Sequence, residues 1–125
     1  MDNKNEALVK KITKDTLENK VHWAIADVND YKHFIIEPIL VMRALCTQVQ
    51  NLKFYIFEQK IYRYDPDTDS KYQDVMFYLI VRKDGITVKE LYERTVNQTY
   101  LVNLLDAAVD KAVSAEDEIE SYMNS

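Results

Sequence analysis

Glycine and proline are nearly missing from this chain, which has one glycine, Gly85, and two prolines, Pro38 and Pro66, in 125 residues. Loops that cradle phosphate need glycine where the backbone approaches the ligand or turns to positive φ, so the classical nucleotide-binding motifs are excluded. Cysteine is scarce too. The single Cys46 cannot close an internal disulfide and sits in an apolar stretch, where a thiol packs as a small hydrophobe, pointing to a reducing compartment. An excess of positive charge is also lacking: 16 basic against 21 acidic residues give a net charge of −5, which argues against nucleic acid as a partner. The N-terminal "MDNKNEALVKK" has no apolar core of a signal peptide, and no apolar run is long enough to span a bilayer. A cytoplasmic protein without membrane contact is expected, and the sequon at Asn97 then carries no glycan.

What is present suits one folded domain over residues 1–125, with 47% apolar and 30% charged residues. In residues 6–19, Leu8, Val9, Ile12 and Thr16 share one helical arc with lysines opposite. "KVHWAIAD" alternates Val21, Trp23 and Ile25, as a short strand or extended segment would, and "DVNDYKH" reads as a loop. Residues 39–49 fit either a helix begun by Pro38 or a buried strand. The aromatic and β-branched run "LKFYIFEQKIYRY" that follows decides for a strand, with a two-residue turn at 50–51 that sets Arg43 opposite Glu58. Residues 72–83 form the clearest strand, and "DG" at Asp84 and Gly85 signals a type I′ hairpin into "ITVKEL".

"TVNQ", Thr95 to Gln98, matches a capping box ahead of a helix carrying Tyr100, Leu101, Leu104, Leu105, Ala108, Ala112 and Val113. Ser114 can open a last short helix with Ile119 and Met123. The fold class is therefore α+β: an antiparallel meander of three to four strands, with an N-terminal helix and C-terminal helices packed on it.

The layout resembles a group of small bacterial and phage-associated proteins, through a first helix ending near "KVHWAI", tyrosine-rich strands and the closing "LVNLLDAAVDKAVSAEDEIESYM". Residues 30–42 depart most from it. The resemblance implies a fold and no activity.

Candidate chemistry is thin. Asp65, Asp67 and Asp69 alternate like the first ligands of a calcium loop, but the sixth and twelfth positions are Ser70 and Met76 where glycine and glutamate are needed. "DPDTDS" reads better as a turn, with weak surface cation binding left open. His22 and His33 have no partner pattern; "HFIIE" pairs His33 with Glu37 at helical spacing, and Pro38 interrupts it. Cys46 has no neighbouring base, and none of the serines lies in a nucleophile elbow. No catalytic residue, metal or cofactor is assigned.

Pairing Tyr64 with Tyr72 makes both sheet faces apolar, so either the helices cover opposite faces or one face meets a partner. Tyrosine and methionine are enriched at interfaces, which singles out Tyr62, Tyr64, Met76 and Tyr78 as contact residues. The leading expectation is a non-catalytic protein-binding or regulatory module of a bacterium or phage, with a protein partner or self-association as a homodimer. The alternative is a ligand-binding or enzymatic domain with a pocket between sheet and helix, lined by Trp23, His33 and tyrosines. A third reading takes the acidic tail, residues 114–125, as a mimic of nucleic acid.

Overall fold

The computed structural model describes residues 4–35, 40–113 and 116–125. The expectations placed on Glu37, Pro38 and Ser114 lie outside the described residues. The elements run α1 (Lys4–Leu17), β1 (Ala24–Ile25), α2 (Val28–Tyr31), β2 (Leu40–Val49), β3 (Leu52–Asp65), β4 (Ser70–Lys83), β5 (Ile86–Leu91), α3 (Gln98–Ala112) and α4 (Glu116–Met123). The class is α+β. The meander has five strands in the order β1-β2-β3-β4-β5, all antiparallel, against the three to four expected.

Both two-residue hairpin turns behave as their residues dictate. Asp84 and Gly85 have φ of 52° and 78°, the positive pair that a type I′ turn requires, and Lys83 pairs with Ile86 across them. The turn at 50–51 joins Val49 to Leu52 and carries the register to Arg43 opposite Glu58, where the two side chains form a forked ion pair at 2.9 and 3.2 Å. Glu58 raises the Arg43 pKa by hydrogen bonding, against a smaller opposing effect of burial. Met42 is the extra residue of a bulge between Val41 and Arg43.

The β3–β4 register corrects the expected one. Tyr64 stands opposite Lys71, and Arg63 opposite Tyr72, one residue away from a Tyr64–Tyr72 pair. The cause is the turn: residues 66–69 make a four-residue loop closed by Asp65 opposite Ser70, with Asp69 at φ 51°. Asp65 Oδ1 accepts from the Asp67 amide at 3.0 Å, an Asx turn that sets this loop length. Because side chains alternate, the slip moves every β4 residue to the other face relative to β3.

With this register, one face presents Leu45, Phe54, Ile56, Leu79 and Val81, and both α1 and α3 lie on it. Val9, Ile12, Leu101, Leu104, Leu105 and Ala108 complete that core. Val21 and Trp23 are buried there as their alternation implies; Ile25, opposite Leu45, stands at the sheet edge and is exposed. The opposite face presents Ala44, Tyr55, Phe57 and Ile80 and is covered by residues 26–35. Tyr31 and Phe34 meet Phe57 and Tyr55 edge-on, with centroids 5.3 and 5.1 Å apart, and Arg82 lies over Phe34 at 4.1 Å. So the segment expected as a loop holds a one-turn helix, α2, capped by Asp27, whose carboxylate accepts from the Asn29 amide.

The helix start after β5 also differs. Thr95 Oγ1 is engaged with the Tyr92 amide and carbonyl, so the cap of α3 is Asn97, which accepts from the Thr99 amide at 3.0 Å. The last helix, α4, leaves Ile119, Tyr122 and Met123 exposed, while α3 carries the packing.

The only polar contact deep in the helix-side core that joins α1 to the sheet side runs through Thr16, among the described residues. Its hydroxyl accepts from Trp23 Nε1 at 2.8 Å and donates to the Ile12 carbonyl at 2.7 Å. Thr16→Val keeps the shape and strands the indole N–H in a dry site, so it lowers unfolding stability by about 1–3 kcal/mol. A urea titration checks this; an unchanged midpoint would show that the indole finds another acceptor.

Candidate functional site

β3 and β4 outrun their neighbours. β2 pairs with β3 only as far as Lys60, and β5 pairs with β4 only from Leu79 onward. Among the described residues, 61–74 therefore form a two-stranded ribbon with no strand on either side. The ribbon carries Tyr62, Tyr64 and Tyr72 at 61%, 55% and 49% exposure. Alternation and register put Tyr62, Tyr64, Lys60, Lys71, Gln73 and Val75 on the side that faces the helix layer farther along the sheet. Tyr72, Arg63, Asp74 and Asp65 take the other side.

Several contacts hold these side chains. Gln73 Nε2 donates to the Tyr62 hydroxyl at 3.1 Å, and Tyr64 donates to Asp69. That bond raises the Tyr64 pKa, with burial adding to it. An open hollow of about 490 Å³ lies beside Tyr62, Arg63, Tyr64 and Lys71. On the reverse side Arg63 anchors the base of the ribbon: its Nε reaches Asp74 at 2.7 Å, and its Nη2 reaches Glu93 at 2.9 Å and the Met76 sulfur at 3.1 Å. Glu93 contributes most to raising the Arg63 pKa, with Asp74 adding and desolvation opposing.

The four tyrosine and methionine positions singled out from sequence thus divide into two pairs. Tyr62 and Tyr64 lie together on the exposed ribbon. Met76 and Tyr78 lie on the opposite face, where Met76 is 4% exposed and Tyr78 is half-buried and stacked on Tyr92 at 5.5 Å. Burial pushes the Tyr78 hydroxyl pKa up first, with Glu93, Tyr92 and Glu90 adding and Arg63 opposing. Met76 is packed under Arg63 and offers little surface.

The aspartates of the turn are spent locally, Asp65 on its own Asx turn and Asp69 on Tyr64. Among the described residues no group of three or more histidine, cysteine, aspartate or glutamate side chains is placed to hold a metal ion. His22 and His33 are exposed. Trp23 is packed in the core with its N–H satisfied, away from the pocket role considered for it. The Cys46 thiol is half-buried and its pKa is raised by desolvation, with Lys53 opposing, so it stays protonated at neutral pH.

No family model, curated protein or solved structure matches this chain. The site therefore has to be read from its own chemistry. Sequence reasoning passed over Arg63 and Lys71, because their roles depend on the register, and Gln59, because a lone polar residue in "FYIFEQKIY" reads as an outward position. Gln59 in fact points into the sheet face beside Met76, 1% exposed, with its Oε1 unpaired among the described residues.

An acceptor buried without a donor is a standing penalty, so Gln59→Met, of similar volume, raises stability by about 1 kcal/mol. Chemical denaturation reads the change directly. A loss of stability would mean that the amide is paired in solution.

Proposed function

We propose that this chain is a non-catalytic protein-binding module acting through the β3–β4 ribbon. One observation carries the reading: the exposed tyrosines Tyr62 and Tyr64 ride on a two-stranded extension that, among the described residues, has no strand beside it. A two-stranded ribbon is at best marginally stable in water on its own, and tyrosine is a residue that interfaces favour because its ring is apolar and its hydroxyl tolerates water. The ordered turn and the Arg63 bridge support it, since they hold the ribbon out from the body of the sheet in one geometry.

Tyr31, Tyr64, Tyr78 and Cys46 are all shifted upward, so none of them is set up as a phenolate or thiolate nucleophile at neutral pH. Among the described residues no helix is long and apolar enough to cross a membrane. A cytoplasmic setting accords with the reduced, half-buried Cys46, and a bacterial or phage origin with the resemblance noted above. The pocket reading loses its main residue, since Trp23 is closed in by the core.

The test is photo-crosslinking from benzoylphenylalanine placed at Tyr62 or Tyr64, with exposed Lys14 on α1 as the control position. Discrete protein adducts are expected from the ribbon positions alone, lost when the neighbouring ribbon tyrosine is serine, with thermal unfolding unchanged. Equal adduct patterns from Lys14 and from the ribbon would refute the reading.

A further inference from the structure

We infer that the apolar, acidic face of α4 docks on the tyrosine ribbon of a second copy of this chain. The inference rests on the ribbon being a protein-contact surface and names what it contacts.

The ribbon side that carries Tyr62 and Tyr64 has a one-signed character that the sequence alone hides. Across 60–64 and 71–75 the residues sharing that side are Lys60, Tyr62, Tyr64, Lys71, Gln73 and Val75, two cations with no carboxylate in these stretches. Asp65 and Asp74 are turned to the other side by the register. The turn's Asp69 is held by the Tyr64 hydroxyl at the far end. The surface is therefore aromatic and basic.

The complementary surface is α4. Ile119, Tyr122 and Met123 follow at steps of three and one, which puts them on one helical stripe, and they are 57%, 77% and 77% exposed. Glu118 and Glu120 flank Ile119 and are exposed. No basic residue occupies the last turn of α4. An amphipathic helix whose apolar stripe faces water is incomplete as a packed element, since helical stability in proteins comes from burying such a stripe. Bringing these two surfaces together sets apolar against aromatic and acidic against basic.

In this structure the chain leaves both its own stripe and its own tyrosines open at once. A two-fold axis satisfies both with a single operation: α4 of each copy covers the ribbon of the other, and the same contact is made twice. The end of α3 lies by the β1–β2 edge of the sheet, where Val109 and Val113 line a hollow with Ile25 and Met42.

The experiment is native mass spectrometry and light scattering of the full chain over a dilution series at low salt, with two charge-reversal variants at exposed or half-exposed positions. Lys60→Glu with Lys71→Glu makes the ribbon acidic; Glu118→Lys with Glu120→Lys makes the helix basic. Wild type is expected to dimerise, each variant alone to weaken dimerisation more than about tenfold, and an equimolar mixture of the two to recover a mixed dimer, because every contact in it again joins opposite charges. Circular dichroism confirms that both variants remain folded. A wild type that stays monomeric, variants that dimerise as well as wild type, or a mixture that fails to recover would each overturn the inference. A monomeric wild type whose ribbon still crosslinks to another protein would sink the second-copy partner alone and leave the ribbon as a contact surface.

Discussion

The pairing of β3 with β4 is the interaction on which the rest of this structure depends. Thirteen consecutive residue pairs, from Lys53 opposite Arg82 to Asp65 opposite Ser70, run without a bulge. That single register determines which side chains enter the core, which face the second layer and which reach water on the ribbon. A shift of one residue would exchange Leu79 with Tyr78 beneath the helices and turn Lys71 away from Tyr64. The turn that sets it depends on Asp65 capping Asp67 and on Asp69 accepting a left-handed conformation.

From that register follow two unequal layers. The helix side is a dense aliphatic core built by α1 and α3, with the Thr16 and Trp23 contact satisfying the one indole N–H. The other side is aromatic and is covered by a short irregular segment, residues 26–35. Both faces of the sheet are closed near its middle, so the apolar strands do not imply a large naked face. What remains uncovered lies at the periphery, on the ribbon and on α4 and also at positions such as Ile25, Leu40, Ile86 and Val88. Function is sought there because the centre has no spare surface.

Much of this was legible in the residues. The arc of Val9, Ile12 and Thr16, the paired turn at Asp84 and Gly85, the Arg43 and Glu58 pair and the stripe of α3 all rest on periodicity or local turn chemistry. Strand for residues 40–49 was decided by the partner run beyond the turn. Three features were not legible. The loop length at 66–69 depends on one Asx bond, and a one-residue difference there reverses the faces. The cap of α3 moved from Thr95 to Asn97 because the Thr95 hydroxyl serves the preceding turn. The covering role of Tyr31 and Phe34 is a long-range contact that no local pattern announces. For the candidate site, tyrosine content pointed to Tyr62 and Tyr64 but also to Met76 and Tyr78, and only the register separates the exposed pair from the packed one.

The central claim is that register, and the most direct measurement of it is a set of interstrand backbone nuclear Overhauser contacts in the labelled full chain. The account predicts contacts that pair Ile56 with Leu79 and Arg63 with Tyr72, continuing to Tyr64 with Lys71. Contacts pairing Tyr64 with Tyr72 and Phe57 with Leu79 would contradict it and reassign every side chain on β4.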